Sequence, residues 1–201
     1  MDAWIVFGAR TAYAVEVVET IWRTGAEVMA LVDNLPDPPA QPWAHAVPVL
    51  GPDALGNDHR ACRVAVPQTT PGHRQSVRDD ARRLGFARFA ALVDPTAVVA
   101  RTAQVDDGVV VGARAVVGGC AQVGAFALVN RGASIGHHSA IGPYASLGPG
   151  CVLAGGVRVG AGTFVGAGAV LAPGVGVGWN STVGAGAVVI ADVPANCVVV
   201  G

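Results

Sequence analysis

Over the second half of the chain, aliphatic residues recur with a period of six. Counting from Val93, the positions are Val93, Val99, Val105, Val111, Val117, Val123, Val129, Ile135, Ile141, Leu147, Leu153, Val159, Val165, Leu171, Val177, Val183 and Val189, without a gap. Four residues further into each hexad the side chain is small or β-branched, from Ala97 and Ala103 to Ala187 and Val193. The residue after the aliphatic is glycine in ten of the 17 hexads, as at Gly112, Gly136 and Gly166, so the rhythm is set at three positions at once. A period of six drifts off a 3.6-residue helix within two repeats. It fits short extended segments joined by tight corners. The aliphatic points inward, the small residue sits where the wall bends, and glycine takes dihedrals that a Cβ forbids. This is the hexapeptide pattern of a parallel β-helix. With three hexads to a coil and coils about 4.8 Å apart, about five to six coils rise roughly 27 Å.

The first ninety residues follow other periods. Trp4-Ile5-Val6-Phe7 is a short apolar run ending at Gly8. Val15, Val18, Ile21 and Trp22 have helical spacing within residues 12–23, and Gly25 closes that helix. Residues 27–32 form a second apolar run, closed by Asp33-Asn34, which makes a βαβ unit. A proline-rich loop follows over residues 36–42, then a short extended segment over 47–50 and a turn into a short helix over 51–55. Residues 62–66 read as a third strand. Residues 72–84 read as an exposed Arg-rich helix whose charges form a solvated face. The expected fold is therefore an α/β N-terminal Rossmann-like domain over residues 1–90, followed by a parallel β-helix over residues 91–201.

Composition narrows the function classes. The 201 residues carry a formal net charge of −1 and only 13% charged side chains, which gives no electrostatic reason to expect nucleic acid or an acidic membrane as partner. All 13 basic residues are Arg, so lysine chemistry is excluded. No run of about 18 apolar residues escapes Gly, Pro or charge, so no membrane insertion is expected. Asp2 and the lack of a basic n-region speak against a signal peptide. Cys62, Cys120, Cys151 and Cys197 are widely spaced and form no CxxC pair; they read as reduced, buried thiols of a cytoplasmic protein, with neither zinc site nor disulfide framework.

The coil half holds only two histidines, His137 and His138, at the third and fourth positions of their hexad. They are corner or surface residues, because the inward position is the first. Histidine is the side chain best matched to proton transfer near neutrality. Acyl transfer to an amine needs such a base and a donor, commonly a backbone N–H, for the oxyanion; it needs no metal.

Three motifs carry a resemblance over nearly the whole chain. They are Val47-Pro48-Val49-Leu50-Gly51, then Asn130-Arg131-Gly132-Ala133-Ser134-Ile135-Gly136-His137-His138 with Ile141-Gly142, and Val188-Val189-Ile190-Ala191-Asp192-Val193-Pro194 with Val198-Val199-Val200-Gly201. Together with the βαβ-to-coil order, the chain resembles the sialic-acid-type and bacillosamine-type nucleotide-sugar acetyltransferases. The resemblance implies a left-handed coil, a homotrimer with active sites between neighbouring coils, acetyl-CoA along the coil wall, and a nucleotide sugar held by the N-terminal domain.

By that resemblance His137 is the catalytic base. The family's next residue is commonly acidic and thought to orient the imidazole; here it is His138, which accepts a hydrogen bond but brings no negative charge. A second family histidine corresponds to Ser146. Gly155, in Leu153-Ala154-Gly155-Gly156-Val157, falls where a glycine N–H meets the thioester oxygen; a glycine needed only for the corner is the other reading. Gly156 adjoins it, and Gly166-Ala167 and Ala185 would line the pantetheine path. Asn130 would contact the sugar near its amine, or is an asparagine tolerated at a corner for its left-handed dihedrals. The family's Gly-rich phosphate turn reads Gly8-Ala9-Arg10-Thr11-Ala12 here. Arg10 could pair a phosphate and Thr11 donate a hydroxyl, or both could fill the pocket. Asp33 and Asn34 fall where the family reads the nucleoside, or are turn formers. The resulting expectation is an acetyl-CoA-dependent N-acetyltransferase acting on a nucleotide-linked amino sugar. Acylation of another amine or hydroxyl, and a non-catalytic trimeric scaffold, are the alternatives.

Overall fold

The structure is a computed structural model that describes residues 3–35 and 47–201. The expected proline-rich loop over residues 36–42 lies outside the described residues.

The N-terminal elements are β1 (Ala3–Phe7), α1 (Ala14–Arg23), β2 (Glu27–Val32), β3 (Val49–Leu50), a 3-10 turn over Pro52–Ala54, α2 (Asn57–Arg60), β4 (Arg63–Ala65) and α3 (Pro71–Arg83). The four strands are parallel in the order β3-β2-β1-β4. β1 is the central strand and all five of its residues are buried, as a parallel strand covered on both faces requires. The buried stripe of α1 is Ala14, Val17, Val18 and Ile21. Of the four residues whose spacing suggested the helix, Val15 and Trp22 turn outward, because at 100° per residue they fall beside that stripe. Gly25, at φ +79°, ends the helix as its left-handed cap.

The coil begins at Leu92–Val93 and runs to Val198–Val199 as two-residue strands in three parallel sheets of seven, six and five strands. Partners lie 18 residues apart, as in Leu128↔Ser146 and Ser134↔Val152, so three hexads make each turn. The last turn is two residues shorter, pairing Val183 with Val199. The periodic aliphatics fill one continuous core from Val111 to Val189, with the small set between them. Where that small residue is Ser139, Thr163 or Ser181, its buried hydroxyl donates to a carbonyl and accepts an N–H of the next coil.

The glycines serve a different purpose from the one their rhythm suggests. Left-handed φ falls at the fourth position of the hexads, where Arg114, Cys120, Phe126, His138, Tyr144 and Asn180 sit as well as glycines. Glycine at the second position lies outside that region. A Cβ there would strike the backbone of the next coil, at 2.5 Å from Ala154 for Gly136 and 2.9 Å from Pro143 for Gly124. Close stacking of coils, rather than corner dihedrals, selects it.

The three sheets give the prism three faces. The seven-stranded face packs against the N-terminal unit: Leu92, Val110 and Leu128 join Trp4, Val6, Val17, Val18 and Ile21 in one core. The six-stranded face shows solvent a stripe of valines, Val98, Val116, Val152, Val170 and Val188. The five-stranded face is a polar groove. We call these the packed, valine and groove faces.

One side chain ties the unit to the coil. Arg74 of α3, 2% exposed, donates to the carbonyls of Phe126 (2.7 Å), Tyr144 (2.6 Å), Ala145 (3.1 Å) and Gln68 (2.6 Å), and to the Ser146 hydroxyl (2.9 Å). Burial pulls its pKa down to about 10, which leaves it charged at neutral pH. One turn on, the Arg78 guanidinium lies 5.3 Å from both the Phe126 and Tyr144 rings, which stack on each other at 5.3 Å. The expected solvated face of this helix is thus overturned at Arg74 and Arg78. The thiol expectation also needs correction at one position. Cys62 and Cys151 are buried, and burial pushes the Cys151 thiol up to about 12, but Cys120 is exposed on a corner and Cys197 is half-buried. Among the described residues no helix is long and apolar enough to cross a membrane.

A second tie joins α1 to the first coil. Buried Asp94 accepts from Thr96 and from the Arg23 Nε at 2.7 Å. Burial alone would raise its carboxyl, but the hydrogen bonds from Thr96 and Arg23 outweigh it and hold the pKa below the ordinary value. A depressed aspartate contributes stability that is present above the unfolded value, about 3.9, and is lost as pH falls through the folded one. Urea unfolding at pH 5 and pH 3 should therefore show a larger acid loss for the wild type than for Asp94→Asn. Arg74→Met removes the donor from several buried carbonyls and should cost about 3–5 kcal/mol in the same assay; Arg74→Lys should recover only part, because an ammonium cannot span the fork.

Candidate active site

The predicted site residues fall into three groups. The first lies at the carboxyl ends of the parallel strands. Gly8 ends β1 at φ +96°, and its carbonyl accepts from the Gln68 amide at 3.0 Å; a Cβ here would run into the Gln68 side chain. The Arg10 Nε meets both carboxylate oxygens of Asp33, at 2.9 and 2.7 Å, with Asp33 buried. The Thr11 hydroxyl accepts the Tyr13 N–H at 3.3 Å, at the start of α1. Asn34 donates to Asp80 of α3 at 2.7 Å. The strand order runs outward from β1 to β2 and β3 on one side and to β4 on the other. It reverses between β1 and β4, where Gly8 and Gln68 face each other, and ligands of open parallel sheets bind at such a reversal.

The second group follows the edge between the packed and valine faces, and holds Asn130, Gly166, Ala167 and Ala185. Asn130 is buried and outside the left-handed region, so the corner-dihedral reading of it fails. Its Oδ1 accepts the Arg131 N–H at 2.8 Å and the Tyr13 hydroxyl at 3.4 Å. Burial, and then the charge of Glu16, push Tyr13 up to about 12, so it stays a neutral donor. Asn130 is thereby fastened to the start of α1, beside the first group. Gly166 is accounted for by stacking, since a Cβ would lie 2.6 Å from the Gly184 carbonyl carbon. Ala167 and Ala185 are exposed on the same edge, one coil apart.

The third group occupies the edge between the valine and groove faces. His137 and His138 form one corner, and Gly155 and Gly156 form the corner one coil further along the stack. The Gly156 N–H donates to the His137 carbonyl at 2.8 Å, which locks the two corners together. The left-handed φ of this corner belongs to Gly156, at +71°, not to Gly155. What Gly155 provides is room: a Cβ there would lie 2.6 Å from both Cε1 and Nε2 of His137. The imidazole is therefore seated against Gly155, and among the described residues no acceptor meets the Gly155 N–H. The Nδ1 atoms of His137 and His138 are 3.0 Å apart. The groove face beside this edge holds a cavity of about 670 Å³ lined by Gln104, Gln122, Ala140 and Arg158, among others; its lining runs on to Asp106, Gly124 and Pro143 at the far border and does not include the two histidines or Gly155. Ser146 lies elsewhere: it points from the packed face into the N-terminal unit, where it donates to the Thr69 carbonyl at 2.6 Å and accepts from Arg74.

His137 and Asn130 thus lie on opposite borders of the valine face, at most about 25 Å apart, the reach of seven extended residues. The elements that sequence reasoning missed are Tyr13, Gln68, Arg74 and the groove. Tyr13 is one of only two tyrosines, and Gln68 follows the strand at the sheet reversal; both are signals legible once the strand order is known. Among the described residues no three His, Cys, Asp or Glu side chains converge as a metal set.

No protein-family model matches the chain, and no curated protein matches it. Solved structures do. A histidine-to-asparagine variant of perosamine N-acetyltransferase from Caulobacter crescentus, in complex with CoA and GDP-perosamine, is 32% identical over 100% of this chain and 94% of its own, with a TM-score of 0.88. The acetyltransferase domain of PglB from Neisseria gonorrhoeae FA1090, in complex with acetyl coenzyme A, is 27% identical over 100% of this chain and 96% of its own, with a TM-score of 0.87. WeeI from Acinetobacter baumannii AYE shares the fold at 18% identity, covering 99% of this chain and 96% of its own, with a TM-score of 0.71. The chain belongs to the hexapeptide-repeat sugar N-acetyltransferases, an acyltransferase family.

The seat of His137 supplies a direct test. Gly155→Ala keeps an allowed backbone but pushes the imidazole out of place. It should lower kcat by about 100-fold, the scale of a 1 Å misplacement, with the melting temperature little changed. Steady-state kinetics beside thermal unfolding separates the two effects.

Proposed function

We propose that this protein transfers the acetyl group of acetyl-CoA to the amine of a nucleotide-linked amino sugar, with His137 as general base. The observation that carries the reading is the His137 imidazole seated against Gly155, in a chain similar over its full length to an N-acetyltransferase bound to CoA and a nucleotide sugar. The His137 Nε2 takes one proton from the attacking amine. The Gly155 N–H donates to the oxyanion of the tetrahedral intermediate. Acetyl-CoA supplies the activated acyl group, and the departing thiolate is reprotonated, so the net products are the acetamido sugar and free CoA thiol. Gly156, Gly166, Ala167 and Ala185 serve the pantetheine path.

Residues 1–90 act as a Rossmann-like nucleotide-sugar-binding domain and residues 91–201 as the left-handed β-helix acyltransferase domain. The reversal of strand order beside Gly8 supports the first assignment. The Arg10–Asp33 pair flanks that crevice, with Thr11, Asn34 and Asn130 on its borders. The motif likeness to sialic-acid-type and bacillosamine-type enzymes points to the same substrate class and to a cytoplasmic protein.

The working unit is a homotrimer. The exposed valine stripe is the apolar surface a second copy would cover. Its two borders carry complementary halves of the site, His137 with Gly155 on one and Asn130 with Ala167 and Ala185 on the other. Setting unlike borders together around a threefold axis is a closed heterologous arrangement that completes three sites. The groove of one copy then faces the nucleotide crevice of the next.

Free CoA thiol should appear with a nucleotide-linked amino sugar, and His137→Ala should reduce its rate by at least about 100-fold; unchanged thiol release would remove His137 from the mechanism. Sedimentation should give a trimer, and Val152→Glu should dissociate it and abolish turnover while the chain stays folded. Mixing His137→Ala with Asn130→Ala chains should regain part of the activity that neither has alone. Failure to regain any would show that each site lies within one chain. Stabilisation by free amines but not by nucleoside diphosphates would favour acylation of another acceptor, with the Arg10–Asp33 pair closing the crevice.

A further inference from the structure

His138 occupies the position where the family commonly carries an acid, and its contact with His137 is between the two Nδ1 atoms at 3.0 Å, rings perpendicular at 83° and centroids 5.2 Å apart. Two imidazole nitrogens at that distance hold one proton between them: one must donate and the other accept. We propose that His138 is a positioning residue whose neutral Nδ1 accepts the His137 Nδ1–H, so that the two rings form a single proton-sharing unit in which only the doubly neutral form leaves the His137 Nε2 bare. This rests on His137 acting as the base.

The proton count follows from the contact. In the working form His137 carries its proton on Nδ1 and His138 carries its own on Nε2. When His138 gains a proton, its Nδ1 becomes a donor. The His137 Nδ1 must then accept, and the proton of neutral His137 moves to Nε2, where it blocks the base. One added proton on either ring therefore stops the reaction. During turnover, His137 gains the amine proton at Nε2 while its Nδ1–H still points at the His138 lone pair, which stabilises the imidazolium with no carboxylate present. Transfer of that Nε2 proton to the departing thiolate then leaves His137 with its Nδ1–H still donated to His138, which is the starting form.

The surroundings leave this to the two rings. Both are exposed. The adjacent corners of the stack bring Gly119 and Cys120 on one side and Gly155 and Gly156 on the other, and the His138 N–H donates to the Gly119 carbonyl at 2.9 Å. Cys120 is the one titratable group among these. The flanking strands, Ser134–Ile135 and Ala140–Ile141, carry none. Among the described residues, Arg101 stands two coils away in the same corner column, and Arg158 lies one coil on in the strand paired with Ala140–Ile141.

The backbone makes a clean test possible. His138 has φ +58°, a conformation that glycine and asparagine adopt readily. His138→Gly removes the acceptor and relieves the backbone; His138→Asn keeps an acceptor that does not titrate. His138→Gly should lower kcat by about tenfold or more, with KM for acetyl-CoA within about twofold. His138→Asn should restore kcat to within about threefold, and the acid limb of its kcat/KM profile should move to lower pH than that of the wild type, because the shared proton is gone. Wild-type rate and profile in His138→Gly, or an acid limb in His138→Asn that superposes on the wild type, would overturn the proposal. Histidine ring NMR of the resting protein needs no turnover. Coupled two-step titration of both rings, collapsing to one step for His137 in His138→Asn, supports the proton-sharing unit even if no amino sugar is acetylated. Independent single titrations in the wild type refute it even if one is.

Discussion

Arg74 carries a positive charge into the seam between α3 and the coil, and among the described residues its partners are carbonyl and hydroxyl oxygens rather than a carboxylate. A buried guanidinium is tolerated only if its donors are met. Here they are met by the groups that most need a donor, the corner carbonyls of the coil that α3 covers. The arrangement fixes α3, and with it the carboxyl ends of β1 and β4, at a defined height along the coil. Arg78 above the stacked Phe126 and Tyr144 rings holds the same seam from outside. The distance from the crevice beside Gly8 to the coil edge is therefore a property of the fold and not of a flexible linker.

Two stacking rules shape the rest. Second-position glycines let successive coils approach without a Cβ between them, and fourth-position residues turn the corner in the left-handed region. Together they make each edge a regular column of corners. His137 and Gly155 are successive members of one column, and the fit of ring to glycine exists because the two are 18 residues apart. The cost is that His137 and Asn130 of one chain end up on different borders of a face.

How much could be read beforehand follows from what each element depends on. The coil was legible from Val93 to Val189 because its period is local and repeats in every hexad. Val15 and Trp22 suggested the right helix with the wrong inward face, since the face is decided by the sheet it packs on. Arg74 and Arg78 read as solvated because Arg74's acceptors lie 52 to 72 residues away in the coil and Arg78's ring partners, Phe126 and Tyr144, are as remote; the sequence beside them does not announce that partnership. Gly155 stands out from its motif with two readings, an N–H donor to the thioester oxygen or a corner glycine; the corner dihedral belongs to Gly156 and the room belongs to His137. Asn130 stands between two roles in the sequence, and its backbone, outside the left-handed region, decides against the dihedral one.

The left-handed corners have a consequence for how such a protein changes. Arg114, Cys120, Phe126, His138, Tyr144 and Asn180 show that the fourth position accepts many side chains, at a strain of about 1–2 kcal/mol each. Any two such positions 18 residues apart differ by one layer, about 4.8 Å, and by almost nothing else. The coil is thus a graduated ruler with sockets at every mark: a functional group can be lifted one notch toward or away from a longer or shorter acceptor by exchanging two residues, while the barrel of valines behind it stays as it was.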